Sequence, residues 1–368
     1  MKQIKLKRRI LLIAVLLLGV AIAQYPDWHY RVFSSEPTSL STDLPNAVFL
    51  QRTLQGHWAT VYHLTFSPDG QILASASQDN TIKLWNLATG QELRTLKEPH
   101  LDIDRPIAFS PDGQKLAVSS SDNPTSEHIV IKLWDVNTGQ QLSIPDMPIF
   151  YAIAFSPDGQ TIASSSPGNP IGIGLWNLKT GKELLPLKAP FDTFCHSLAF
   201  SPDGKIIAYG SANSTAKSDR IAIKLWDVNT GKELRTLKMA KKSLTPCFAP
   251  ITFSPDGQIL AATLALCSGT DNTIKMWDLA TGKEILTFKE QPKPVLSFAF
   301  SPNSKLLVSG GGGNIRMWNL ATGQQIPVLK EHSDTVLSIA FSPNGQTLAA
   351  SNGNQIEIWH LRYSRKLD

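Results

Sequence analysis

One phrase recurs seven times along this chain: Phe-Ser-Pro-(Asp/Asn), a Gly-like turn residue, a small-residue stretch, then Ile-x-apolar-Trp, followed in six of the seven by Thr-Gly. The Phe falls at Phe66, Phe109, Phe155, Phe200, Phe253, Phe300 and Phe341, and the Trp at Trp85, Trp134, Trp176, Trp226, Trp277, Trp318 and Trp359. Seven of the nine tryptophans are thereby committed to one repeated role. The period is 41 to 53 residues, so the chain cannot be a set of unrelated domains; each unit must meet its neighbours in the same way.

Within a unit the pattern is that of strands. Ala59–Phe66 alternates Val61, His63 and Thr65 with Tyr62, Leu64 and Phe66, which suits a strand packed on both sides. Ser67-Pro68-Asp69-Gly70 reads as a turn, because Pro presets φ and Gly accepts a positive φ. Ile72–Ser77 and Asn80–Asn86 form the next two strands, Ala88-Thr89-Gly90 a second turn, and Gln91–Leu96 a fourth strand. Four antiparallel strands repeated at this spacing predict an all-β, seven-bladed propeller over residues 48–368. The seventh unit has only three strands, ending with Ile356–His360. Val48–Leu54 carries Leu50-Gln51-Arg52-Thr53-Leu54, which resembles the fourth strands Leu93–Leu96 and Leu234–Leu237. An N-terminal strand is therefore expected to complete the last blade and close a monomeric ring, leaving no open sheet edge at the seam.

The residues Gly56-His57, Phe66–Gly70, Ser75, Asp79 and Trp85-Asn86, with their counterparts down to Trp359-His360, resemble the WD-repeat family. The resemblance covers about 314 of the 368 residues. It implies that His57, Ser75, Asp79 and Trp85 form a structural hydrogen-bond chain rather than a nucleophilic triad, and no Gly-x-Ser-x-Gly elbow surrounds Ser75. Later units depart from the set: unit five keeps Asp271, and unit seven keeps His332 but has Gly353 in place of the Asp. The resemblance leaves function open, because one fold hosts many roles.

Residues 1–23 hold Lys2, Lys5, Lys7, Arg8 and Arg9 ahead of the apolar stretch Ile10–Ala23. This is the form of a signal peptide with a small-x-small site at Ala21–Ala23, with a membrane anchor as the alternative. Either way the body is expected outside the cytoplasm, periplasmic or extracellular, or held to the membrane by its N-terminus. Residues 24–47 read as a flexible linker. Of the 35 Lys and Arg, five lie in residues 1–23, so the rest of the chain carries 30 against 30 Asp and Glu. That neutral body argues against nucleic acid as a partner.

Catalytic and metal-binding sets are not expected. The Asp69, Asp112, Asp158, Asp203 and Asp256 series occupies one turn position, where Asn303 and Asn344 substitute. Cys195 and His196 are adjacent on a strand and point apart, and no Cys/His spacing suits a metal. Cys247 and Cys267 can bridge in an exported chain, or the three cysteines can stay as thiols. No cofactor is implied. Loop length varies only between strands four and one and between strands two and three, which share a face. The long segments are Ser121–His128, Pro167–Ile171, Ser211–Arg220, Met239–Ala249 and Leu266–Asn272. A protein or peptide partner is accordingly expected on that face, with Tyr62, Arg105, Tyr151, Phe194, His196, Lys217, Arg220, Lys241 and Lys242 as contacts. The rival reading is an enzyme or small-ligand binder at the channel mouth, for which Arg105, His196 and Asp219 are the only hint.

Overall fold

The computed structural model describes residues 44–98, 101, 106–121, 129–143, 148–149, 153–166, 172–187, 197–215, 218–240, 250–263, 273–289, 295–326 and 334–363. They form seven antiparallel sheets, each assembled mainly from one sequence unit. The chain enters on β1 (Pro45–Leu54) and continues into blade one, β2 (Val61–Phe66), β3 (Ile72–Ser77), β4 (Thr81–Asn86) and β5 (Glu92–Lys97), in that spatial order. The inner strands of successive blades lie side by side: Val61–Phe66 next to Ile107–Phe109, then Ile153–Phe155, Leu198–Phe200 and Ile251–Phe253. Ser297–Phe300 meets Ile339–Phe341, which returns to Val61–Phe66. This is the seven-bladed propeller.

Closure follows the sequence expectation. β1 pairs antiparallel with the last strand, Gln355–Tyr363, from Leu54 opposite Ile356 to Pro45 opposite Tyr363. The last sheet is therefore built from both ends of the described chain, with β1 as its outer strand. The strand begins at Pro45, three residues before Val48, and Leu44 packs on the core between blades six and seven.

The core is not inside the blades but between them. Each of seven apolar clusters straddles one junction, and the repeated Trp of one blade lies against the third strand of the blade before it. At the seam, Trp85, Leu73 and Val61 of blade one pack with Ile356 and Ile358 of blade seven and with Leu54 of β1. Between blades five and six, Phe288 stacks on Trp318 with ring centroids 4.3 Å apart. Both faces of each blade are thus removed from water, which explains the buried runs in the middle strands.

The Ser-Pro-(Asp/Asn)-Gly turns form a collar on the opposite face from the long connections. Each turn Gly sits at a φ of 69–72° and receives the ring of the preceding blade's turn Pro: Pro68 on Gly113, Pro111 on Gly159, Pro157 on Gly204, Pro202 on Gly257, Pro302 on Gly345 and Pro343 on Gly70. Blade six has Ser304 at a φ of 56° instead, and its Oγ accepts a hydrogen bond from the Asp256 N–H at 3.1 Å. Ser67 Oγ donates to Asp69 Oδ1, which also accepts from the Gln71 N–H at 3.0 Å, and the same arrangement recurs in the other turns. Asp69, Asp112, Asp158 and Asp203 are held below the ordinary carboxylate range, chiefly by these serine hydroxyls. Their part is turn chemistry.

One feature differs from the sequence expectation. Ser211–Arg220, expected as a loop, is largely strand: Ile206–Thr215 and Ser218–Asp227 pair continuously from Ile206 opposite Asp227 to Thr215 opposite Ser218. The β-branched and small residues on both arms keep the ladder going, so blade four has ten-residue middle strands where blade one has six. Among the described residues, the outer strand of blade two comprises Gln141–Leu142 and Pro148–Ile149, and that of blade six Gln325–Ile326.

A chain starting at Leu44 should keep the parent's thermal midpoint. One starting at Gln55 should unfold roughly 10 °C lower or more, because the blade-seven edge and the seam core are both exposed. Differential scanning calorimetry with light scattering checks this, and equal midpoints would remove the role assigned to β1.

Candidate functional site

His57 lies in the connection that leaves β1 and enters blade one, and Asp79 in the turn between β3 and β4. Both therefore stand on the face opposite the Pro-Gly collar. The structure brings the four residues together: Trp85 Nε1–H donates to Ser75 Oγ at 2.8 Å, Ser75 Oγ lies 2.7 Å from His57 Nε2, and His57 Nδ1 lies 2.7 Å from Asp79 Oδ2. Ser75 is fully buried, and His57 and Asp79 are nearly so. Burial holds the His57 imidazole below its ordinary range, outweighing the hydrogen bond and charge of Asp79. The neutral ring with its proton on Nδ1 lets every donor point one way: indole to hydroxyl, hydroxyl to Nε2, Nδ1–H to carboxylate. Burial raises Asp79, but hydrogen bonds from Thr81 and His57 together bring it below the usual carboxylate range.

Ser, His and Asp thus stand at the distances of a nucleophilic triad, yet chemistry on a substrate is blocked. Ser75 Oγ has no surface and already accepts the indole proton. The chain's effect is mechanical. Asp79 Oδ2 also accepts the Trp58 N–H at 3.2 Å, which fixes the next residue of the same loop. Trp58 is 77 % exposed, while all seven repeat tryptophans are packed into junctions. It stands beside β2 on the long-connection face.

The set is complete in blade one alone among the described residues. Across the strand pair, the positions matching Ser75 are Val118, Ser164, Tyr209, Ala262, Ser309 and Ala350. Indole nitrogens of Trp176 and Trp318 donate to Ser164 and Ser309 at 3.2 and 3.4 Å. Blade two substitutes a different device: Lys132 Nζ lies 2.6 Å from Glu98 Oε1, and Ser120 Oγ donates to the same oxygen at 2.5 Å. Glu98 is fully buried.

Of the residues expected to contact a partner, Tyr62 is half-buried at a β-bulge in the inner strand of blade one. A bulge re-aims a side chain at the mouth of a sheet. Arg220 belongs to the extended hairpin of blade four, opposite Asn213 in register. Asp219 stands next to it, opposite Ser214. Arg105, Tyr151, Phe194, His196, Lys217, Lys241 and Lys242 lie outside the described residues, as do Cys195, Cys247, Cys267, Asp271 and His332. Trp58 was absent from the sequence expectation although one signal was available: it is one of only two tryptophans outside the repeat.

The family model for the WD domain, G-beta repeat, matches residues 49–86, 181–218, 231–278, 282–319 and 323–360. Together these cover more than half of the chain, and the chain belongs to that family. It is similar to the protein Mut11 of Chlamydomonas reinhardtii, 45% identical over 56 residues that make up 15% of each chain. It is also similar to the guanine nucleotide-binding protein subunit beta of Zea mays, 36% identical over 81 residues, 22% of this chain and 20% of that one. The Notchless protein homolog of Arabidopsis thaliana is 51% identical over 41 residues, 11% of this chain and 9% of that one. The aligned stretches therefore span no more than a fifth of these relatives' lengths.

Replacing His57 by Ala should cost roughly 1–3 kcal/mol at neutral pH, the usual consequence of stranding buried polar partners. The sign with pH follows from the depressed imidazole. Its stabilisation is complete above the unfolded value near 6.5 and is lost as pH falls from there toward the folded value. Chemical denaturation between pH 8 and pH 5 should show that decline in the parent and lack it in His57→Ala. A variant that matched the parent at every pH would contradict the structural role.

Proposed function

We propose that this chain is a non-enzymatic interaction scaffold that holds a protein or peptide partner on the face carrying the long connections. The observation that carries the proposal is Trp58, 77 % exposed and held at its N–H by Asp79 at the end of the buried chain. An aromatic ring kept in water on a rigid mount is the type of side chain that anchors interfaces. Tyr62 at its bulge and the projecting hairpin of blade four share that face. Relatives by name include a subunit of a guanine nucleotide-binding protein and a subunit of a chromatin assembly factor, so rings of this family serve inside assemblies. The absence of catalysis belongs to the proposal. Its support is the burial of Ser75 in the one Ser-His-Asp arrangement among the described residues.

Export is part of the same proposal, supported by the basic run to Arg9 followed by Ile10–Ala23. Amino-terminal sequencing of protein from native cells should find a start near Gln24 in the envelope or medium. Met1 in a membrane fraction would favour the anchored form, and full-length protein in the cytoplasm would defeat export.

For the binding face, Trp58→Ala, Arg105→Ala and Tyr151→Ala should each weaken capture of the native partner by about 1–2 kcal/mol or more without unfolding the ring. Lys241→Glu should weaken it too. Asp69→Asn and Thr89→Ser on the collar face should leave capture unchanged. Calorimetric or surface-plasmon titration with the captured partner decides, and the reverse pattern would invert the assignment.

A further inference from the structure

Both ends of the described chain leave the ring on the collar face. β1 pairs with Gln355–Tyr363 so that Leu54 lies opposite Ile356, beside the Asn352–Gln355 turn between strands two and three, and Pro45 lies opposite Tyr363. Tyr363 donates its hydroxyl to the Gly345 carbonyl, in the Ser-Pro turn of the same blade, at 3.1 Å. Blade seven has no Thr-Gly turn, and its two outer strands run on in that place as a ribbon. Phe49 and His360 face each other there with ring centroids 5.3 Å apart. The exposed Arg362 lies over Phe49, its guanidinium carbon 5.6 Å from the ring centre. Arg52 is committed elsewhere: it donates to the Ala88 carbonyl of blade one at 3.2 Å, as Arg94 donates to the Thr138 carbonyl of blade two at 2.9 Å.

Charge divides this face although turn length does not. Each Ser-Pro turn of blades one to five carries an Asp, and the Thr-Gly turns of blades two, four and five add Asp135, Asp227 and Asp278. Lysines stand among them, with Lys115 Nζ 3.9 Å from Asp112 and Lys205 Nζ 3.7 Å from Asp203. In blades six and seven the same positions are Asn303, Asn319 and Asn344. The described collar residues of those two blades therefore hold no carboxylate, and they keep the exposed Lys305 and Arg362. Asn303 and Asn344 accept the N–H groups of Lys305 and Gln346 just as the aspartates accept theirs, so the turn itself does not call for the change.

The sequence that leads into this arc has a definite order. Five cations from Lys2 to Arg9 precede the apolar stretch Ile10–Ala23, and Tyr25, Trp28 and Tyr30 follow it. Cations on one side of an apolar stretch and Tyr and Trp on the other match a membrane segment with its interfacial aromatics. Fourteen apolar residues cover about 21 Å as a helix, and snorkelling Lys and Arg make up the shortfall. We propose, on the anchored form of the export reading, that the collar arc of blades six and seven rests on the anionic lipid surface that holds the N-terminal segment. Only the fourteen residues from Arg31 to Leu44 lie between Tyr30 and β1, and fully extended they reach about 50 Å at most. So short a tether keeps the ring at high effective concentration beside the lipid, and a few charges then suffice to orient it. Anionic headgroups attract basic side chains within a Debye length and repel the aspartates of the other blades, so the arc without carboxylates turns toward them. Trp58 and the long-connection face then point away from the membrane.

The test places the full chain, labelled with ²H and ¹⁵N, in nanodiscs of phosphatidylcholine and phosphatidylglycerol that carry a gadolinium-chelating lipid. Amides at 303–306, 344–347 and 361–363 should lose most of their intensity, those at 112–116 and 203–207 less, and those at 56–60 and 78–81 none. Nanodiscs of phosphatidylcholine alone, or high salt, should level the two arcs. Lys305→Glu with Arg362→Glu should do the same in the anionic discs, each lost cation weakening the contact about fivefold or more. Both residues are exposed, so thermal unfolding should stay at the parent value. Lys115→Glu with Lys205→Glu should leave the pattern as it is. Uniform broadening, strongest broadening at 56–60, or a contrast that survives neutral lipid or the double variant would overturn the docking while leaving the anchor in place. A stronger effect of soluble poly-glutamate than of anionic discs on the same amides would reassign the arc to an acidic protein. A full chain that fails to enter the discs would remove the anchored form and this inference with it. Capture of a partner at Trp58 is measured separately and survives either failure.

Discussion

A four-stranded blade that is apolar on both faces cannot stand alone, and everything else in this ring follows from that constraint. Each apolar cluster belongs to a junction and none to a single blade, so the seventh blade must meet the first or two faces are left in water. β1 resolves this by leaving blade seven and running directly into blade one. The covalent path then crosses the seam that non-covalent packing would otherwise have to hold by itself. Leu54 ends the strand inside the seam core, 3% exposed, and three residues later the chain reaches His57.

The position of the buried hydrogen-bond chain makes sense against that background. It is complete in blade one, the blade that β1 enters, and it fastens the loop that crosses the seam. Asn354 Nδ2 of blade seven donates to the His57 carbonyl at 3.1 Å, and the Val61 N–H donates to the Gly353 carbonyl at 2.8 Å. Gly353 is where an Asp would stand if blade seven carried its own set. Its φ of 59° favours glycine, and the carboxylate of Asp334 lies where a Cβ would project. Blade seven has lost its own chain and gives its backbone to that of blade one. In blades two, four, five and seven Val, Tyr or Ala replaces the serine that the indole would meet, while blades three and six keep it as Ser164 and Ser309.

The scaffold was legible because its determinants are local and repeated. Ser-Pro-(Asp/Asn)-Gly can hardly be anything but a turn, a Trp at fixed phase marks the third strand, and a missing last strand is balanced by an orphan strand at the other end. The extended hairpin of blade four was not legible. Ser211–Arg220 is polar and small, a composition shared by loops and by solvent-exposed ladders, and only pairing across Asn213 and Arg220 distinguishes the two. Trp58 was hidden for another reason. Its significance is that it is exposed, and exposure is set by what the neighbouring loop does not cover. The resemblance between Leu50–Leu54 and Leu93–Leu96 was visible as strand type, but the reach of Arg52 and Arg94 into the following blade needs the ring to exist.

That last point changes how uniformity should be read. Equal turn lengths describe the backbone path, and a face paved with equal turns looks inert on that measure. What lies between turns is decided by side chains that start one blade earlier: a guanidinium from Arg94 or an isobutyl group from Leu286. The same turn backbone therefore meets a guanidinium at one junction and an apolar side chain at another. A repeat protein that holds its geometry fixed can in this way change what a turn contacts by substituting one outer-strand residue, without lengthening a loop. The variation that matters on such a face is not in the length of the turns but in their side chains and in what reaches across to them.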